Sequence, residues 1–189
     1  MVLGRPWRRK NAHDDDPYWD FFINTPPADL VNSVPELIRG APEGNIFPTK
    51  KELHTPEITS SHVKGMARYI GADLVGIATV SSKDAPADAP CPFAVVCAVR
   101  ADYDPRTSPG VGGQVPVQNG LFVTFVLSAW IRELGFRATV APAAHAERLA
   151  AAAGLGTLDP GGRLVTREFG PRVHVADAIL TDLPLAPDG

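Results

Sequence analysis

The stretch at residues 150–185, AAAAGLGTLDPGGRLVTREFGPRVHVADAILTDLPL, decides how this chain is read. It opens on the end of an alanine-rich helix, residues 145–153, that stops at Gly154. Glycine just past a helix end takes up the left-handed backbone there without strain. Gly156, Gly161 and Gly162 then keep side chains off the main chain through a loop. Residues 163–166 read as a short strand, 168–171 as a turn, and 173–180 as a further strand. Two meanings fit these glycines. They let backbone amides come close to a flat or anionic ligand, or they make a tight helix-to-strand connection. On spacing alone the plainer connection carries more weight.

Working outward, Thr59-Ser60-Ser61 is a good helix start, Val63, Met66, Ala67 and Ile70 recur at helical spacing, and Gly71 ends the helix. Residues 73–80 then form a strand that is almost wholly apolar, which predicts a central place in a sheet. Residues 84–92 are a loop, 93–99 a second buried strand, and 100–104 a charged run. The Gly/Pro-rich segment 105–118 reads as a functional loop or lid. Asn119 is placed to cap a deeply buried helix at 120–134, carrying Phe122, Phe125, Trp130 and Ile131. Gly135 closes that helix, and a strand follows at 136–140. Helices alternating with buried strands predict an α+β fold, a mixed α/β sandwich.

Residues 1–55 differ in character. Prolines at 17, 26, 27, 35, 42 and 48 forbid long helices, although 28–38 has room for a helical turn or two. Trp19, Phe21, Phe22 and Ile23 form an apolar cluster. The division is therefore a Pro-rich irregular arm, 1–55, and a folded domain, 56–189. The arm is expected to wrap on a core, of this chain or of a second copy, so a homodimer is an open reading.

Composition narrows the function classes. The 189 residues suit one domain with a proper core. A net charge of -3 from 18 basic and 21 acidic residues is too balanced to point to nucleic acid or an anionic membrane. No apolar run approaches the ~20 residues that span a bilayer. Cys91 and Cys97, not a C-x-x-C pair, are expected to be buried thiols in a cytoplasmic, reducing setting. The histidines, at 13, 54, 62, 145 and 174, make no zinc spacing, so no metal site is assigned. Pro109-Gly-Val-Gly-Gly lacks the end of a P-loop, and Gly154-Leu-Gly follows a helix instead of a strand, unlike a dinucleotide fingerprint. No serine sits in a nucleophile elbow.

The string GLG-x-L-x-x-x-G-x-L-x-T-x-E-F-G-P-R-V from Gly154 to Val173, followed by TDLPL, resembles the cobalamin-binding domain of reductive dehalogenases and of epoxyqueuosine reductase. Ordered matches upstream at 63–78 and 131–138 extend the likeness from about His54 to the end. The resemblance implies a nitroreductase-like domain holding cobalamin, a corrinoid. Gly154, Leu155, Gly156, Gly162, Thr166, Phe169, Gly170 and Pro171 would line its pocket, and the protein would give cobalt no lower-face ligand. No histidine sits in a D-x-H-x-x-G context, which agrees.

Several positions depart from the family pattern. His174 stands where a second arginine follows Arg172, and histidine carries charge only near its own pKa. The segment 113–119 has no tyrosine where the family's proton donor is expected, offering Gln114, Gln118 and Asn119. Tyr103, with Asp102 beside it, is the replacement candidate. Asp159-Pro160 replaces a Gly-Arg pair. His174, Arg172 and Tyr103 are thus the catalytic candidates. The family's iron–sulfur cysteines are missing from this chain, so an electron donor protein or a separate iron–sulfur module is implied. The first reading is a corrinoid domain serving reductive removal of halogen from a small organic substrate. The alternatives are a non-catalytic cobalamin storage protein and a flavin-binding reductase on the same fold.

Overall fold

A computed structural model describes residues 16–26, 34–81, 91–141 and 145–189. The segment 84–90 of the expected 84–92 loop lies outside them, as do residues 28–33. The elements in chain order are α1 (Pro17–Asn24), α2 (Val34–Arg39), α3 (Pro56–Ile70), β1 (Leu74–Thr79), β2 (Phe93–Arg100), α4 (Val111–Glu133), β3 (Ala138–Ala141), α5 (Ala146–Ala152), β4 (Thr157–Leu158), β5 (Leu164–Val165), β6 (Val173–Val175) and β7 (Ala178–Thr181).

One antiparallel sheet organises the chain, in the order β1-β2-β7-β3, with β6 also paired to β2. Strand β2 is buried on both faces. Val95 and Cys97 face a core shared with Val63 of α3 and Leu127 and Ile131 of α4. Ala94, Val96 and Ala98 face a second core with Ala146 and Ala150 of α5. Period-two alternation along one strand therefore divides the molecule into helix, sheet and helix layers. Cys97 is fully enclosed, and burial pushes its thiol up to about 12. Cys91 is also a buried free thiol.

Local signals account for several boundaries. The Thr55 hydroxyl accepts the Ile58 N–H and Pro56 occupies the first helical position, so the helix is capped four residues before the Thr59 start expected from sequence. Gly71, at φ 126°, ends it as expected. The segment expected to be a loop at 105–118 is corrected more substantially. Residues 104–108 form a turn, and α4 runs from Val111 for 23 residues with Pro116 inside it. Asn119 is therefore mid-helix, and Gly110 holds the cap position. The glycines serve backbone packing instead of a lid. A Cβ on Gly110 would stand 2.3 Å from the Phe22 carbonyl oxygen, and one on Gly113 would stand 1.8 Å from that of Ser108. The Gly110 N–H donates to the Ile23 carbonyl at 2.7 Å, which fastens α1 to the start of α4.

Strand β1 is apolar as read, but it lies at the sheet edge and not at the centre. Its burial comes from helices on both faces, and its free edge is covered by the tail. The Asp188 N–H donates to Ile77 O at 2.9 Å, and the Asp188 carboxylate accepts the Ile77 N–H at 2.8 Å. Lys64 pairs with the same carboxylate. Ser60 accepts the Ala186 N–H at 2.9 Å. Such cover removes an open edge as a template for aggregation.

The single strand expected at 173–180 is two strands separated by a bulge. Ala98 faces Val175 and Val95 faces Ile179, so three steps along β2 oppose four along β6–β7. Of the N-terminal segment, α1 and α2 both pack on α4, and the Phe47 and Lys51 N–H groups donate to Arg132 O and Leu134 O. Ile23 is buried there, while Phe21 of the same apolar cluster is 60% exposed. Among the described residues no helix is long and apolar enough to cross a membrane.

Two glycine substitutions test this packing. A Cβ at Gly76 would stand 2.7 Å from that of Ala153, so Gly76→Ala should lower the unfolding free energy by about 1–3 kcal/mol. Gly65→Ala, in α3 with open space around it, should raise stability by roughly 0.5–1 kcal/mol. Urea unfolding of the two variants measures both signs, and equal effects would contradict the packing described.

Candidate functional site

The glycine-rich stretch folds as three successive backbone turns. At the end of α5 the Gly154 N–H donates to Ala151 O and the Leu155 N–H to Ala150 O, with Gly154 at φ 74°. Carbonyls left over by the helix are thereby satisfied. The hairpin β4–β5 then turns on Asp159, whose carboxylate accepts the Gly161 and Arg163 N–H groups at 2.8 and 2.9 Å. Gly162 sits at the tip at φ 75°. Finally the Thr166 hydroxyl accepts the Phe169 N–H at 3.0 Å, and Thr166 and Gly170 exchange backbone hydrogen bonds, with Gly170 at φ 59°. The turn expected at 168–171 falls inside this last unit.

The glycines divide into two kinds. A Cβ on Gly156 would stand 2.3 Å from Val165 O, so Gly156 exists to let the hairpin close on itself. Gly154, Gly162 and Gly170 have nothing within 4 Å of where a Cβ would be. Their backbone is open to solvent or to a ligand. Leu155 and Thr166 come together with Leu74, Arg167 and Glu168 around an open recess of ≈ 410 Å³. Phe169 is half-buried, and Pro171 is exposed beside it.

His174 lies at the same end of the sheet but on the other face. Val173 and Val175 join the α5-side core, whereas a Cβ on Gly120 of α4 would stand 3.3 Å from His174 Cδ2. Burial, then the charges of Arg106 and Arg39, push the imidazole down to about 4 against a smaller opposing effect of Asp104. At neutral pH it is an uncharged hydrogen-bonding group, not a standing cation in an arginine's place. Arg172 is exposed, and its carbonyl accepts the Ala101 N–H at 3.1 Å. Tyr103 packs against Gly112 in the first turn of α4. That contact lies two helical turns, roughly 12 Å along the axis, from the Gly120 contact of His174. Asp102 is held by Arg100 at 2.8 Å.

A polar belt joins this end of the molecule together. Asp104 pairs with Arg163, and Arg106 reaches Glu147 of α5 at 3.2 Å. The other Glu147 oxygen accepts the Leu164 N–H at 2.7 Å. Among the described residues no group of His, Cys, Asp or Glu is arranged to hold a metal ion. Sequence reasoning missed Arg132 and Asp177, both buried. The available signal was weak: Arg132 sits beside Glu133 at the end of an apolar helix, and Asp177 is the one acidic residue in the apolar run 173–180.

No family model matches the chain. Over 103 residues it is 36% identical to a tetrachloroethene reductive dehalogenase of Desulfitobacterium hafniense and 37% identical to one of Dehalobacter restrictus. Those matches take in 50% of this chain but only 18% of each relative's length. In structure it is similar to the catabolic reductive dehalogenase NpRdhA, with a TM-score of 0.66 and 23% identity over 82% of this chain and 26% of that one. A second reductive dehalogenase structure, described in connection with B12-dependent dehalogenation, gives a TM-score of 0.64 over the same shares.

The imidazole's displacement has a measurable sign. A folded pKa near 4 lies below the unfolded value of about 6.5. The stability it represents is full above pH ~6.5 and is lost as pH falls towards 4, by at most about 3 kcal/mol. The His174 ring-proton resonance should titrate near 4, and His174→Asn should flatten the loss of stability across that window. A midpoint at 6 or higher would contradict the described environment.

Proposed function

Taking the chain as a reductive dehalogenase-like domain that spans a fraction of its relatives' length, we propose that it is a corrinoid-binding domain of the nitroreductase-like kind. In a complete protein it would serve cobalamin-dependent reductive removal of halogen from a small organic halide. The observation that carries the reading is the recess between Leu74, Leu155 and Thr166, next to two open, positive-φ glycines: Gly154, which precedes Leu155 in the chain, and Gly170, which is hydrogen-bonded to Thr166. Side-chain-free backbone beside an apolar floor suits the edge of a flat, amide-fringed ring.

When bound, a corrinoid supplies a redox-active cobalt that organic side chains cannot replace. The chain's own part is binding and orientation. Leu155 and Leu74 would exclude water from the ring's apolar surface, and Thr166 would hold the 166–170 turn in shape through its hydroxyl. Arg172 would add a fixed positive charge at the exposed end of that turn. Tyr103 would be the candidate for handling a proton on the substrate side, whereas neutral His174 packs against α4 on the other face of the sheet from this recess. Electrons would come from an iron–sulfur partner or module. The domain division at 55/56 and a reducing, cytoplasmic compartment belong to the same proposal, which two unpaired buried thiols support.

Titrating the purified chain with hydroxocobalamin and following the visible bands tests this directly. Saturable binding with a dissociation constant well below about 1 mM is expected. Glu168→Trp, at an exposed residue lining the recess, should weaken it roughly tenfold, a change worth ~1.4 kcal/mol. Binding no tighter than about 1 mM, or indifferent to that substitution, would refute the assignment.

A further inference from the structure

Helix α4 turns no charge to solvent along most of its length. From Thr107 to Ile131 the sequence has no Asp, Glu, Lys or Arg, a stretch that takes in all of the helix but its last two residues. A helix that roofs a sheet ordinarily presents charged residues to water. Here the inner side meets the core through Val123, Leu127 and Ile131, and the outer side is apolar too. Val111, Val115, Phe122 and Phe125 are exposed and follow one another at helical steps, so they form one stripe. Phe122, expected deep inside, is 52% exposed. The helices α1 and α2 pack on α4 and add Tyr18, Phe21 and Leu37, each three-fifths exposed or more. These side chains together expose roughly 700–800 Å². That exceeds the largest apolar patch of an ordinary monomer and approaches the ~800 Å² that each partner brings to a standard interface.

The order of side chains along the stripe points to a second copy of the chain. Small residues, Val111 and Val115, hold its first half, and large ones, Phe122 and Phe125, its second. The amides of Gln118 and Asn119 divide the two halves. We propose that this face pairs with itself, two copies of α4 lying antiparallel across a two-fold axis at Gln118–Asn119. In such an interface every contact occurs twice, because residue i meets j and j meets i. The axis sets Val115 against the second copy's Phe122, and Val111 against its Phe125 and Val126. Small side chains thus face large ones along about 22 Å of helix. At the axis each amide finds another amide, which both donates and accepts, and a polar pair at one central position fixes the register. The stripe brings no like charges together, and the acids of the flanking helices are engaged within the chain, Asp20 by Asn24 and Glu36 by Arg39. The stripe is on the outer side of α4, across the sheet from the recess by Leu155, so the pairing does not rest on the ligand proposed there.

Sedimentation velocity of the full chain tests the pairing and its register. At about 50 μM the chain should run as a dimer, since interfaces of this size hold at micromolar dissociation constants or tighter. Val115→Lys and Phe122→Glu should each raise the dissociation constant at least roughly tenfold, because each sets a charge against an apolar side chain. Mixed in equal amounts, the two variants should pair with each other. One of the two equivalent contacts then joins lysine to glutamate, and the other is the native valine on phenylalanine. The urea midpoint of the unaltered chain should rise with protein concentration, a readout that needs no variant to fold. A monomer at about 50 μM, a dimer indifferent to both substitutions, or a mixture that stays monomeric would each overturn the proposal. So would flotation of a monomer with vesicles of phosphatidylcholine and phosphatidylglycerol, which would give the face to a lipid surface.

Discussion

Burial of β2 on both faces is the constraint from which the other features follow. A strand with Val95 and Cys97 on one side and Ala94, Val96 and Ala98 on the other must be roofed twice. Small side chains on the α5 side bring that short helix close to the sheet, where Gly76 leaves just enough space for Ala153. Larger ones on the other side meet the long helix α4. Each roof then creates its own kind of concavity. Where α5 ends, the chain must return to the sheet in a few residues, and it does so through open glycine turns. Where α4 spans the sheet, α2 and the end of β3 leave a second cavity, open at Ala41 and Glu43.

Much of this was legible because it is governed by neighbours in sequence. The stop at Gly154, the stop at Gly71 and the turn around Gly170 are backbone events, announced by residues that tolerate positive φ. The buried thiols and the apolar strands were legible for the same reason, since a run such as 93–99 leaves no solvated face. What escaped depends on residues far apart. Pro116 and the glycines at 110, 112 and 113 look like a loop locally, yet α1 and the Ser108 carbonyl press so closely on that turn that only glycine fits. The edge position of β1 was hidden because Asp188 supplies the backbone partners that an edge lacks. A one-residue mismatch of register between β2 and β6–β7 leaves no mark in the pattern VHVADAIL beyond its lone aspartate.

The candidate site shows the same division. The cofactor residues cluster because they are contiguous, although Gly156 turns out to be needed by the hairpin itself. The three residues put forward for proton or charge handling are dispersed. Arg172 is exposed at the turn, Tyr103 lies at the start of α4, and His174 is under its middle with its charge suppressed. A neutral imidazole beside Arg106 and Arg39 is a different instrument from the arginine whose place it takes. It can donate one proton in a hydrogen bond and accept another, but it holds no standing charge to steady an anion.

The central claim is that the two sheet faces have separate roles, with the ring on the α5 side. Hydrogen–deuterium exchange with and without hydroxocobalamin examines it segment by segment. The account predicts slowed exchange confined to residues 154–172, with α2 and the stretch of α4 over His174 unchanged. Protection of α2 and α4 instead, with the glycine turns exchanging as before, would contradict it.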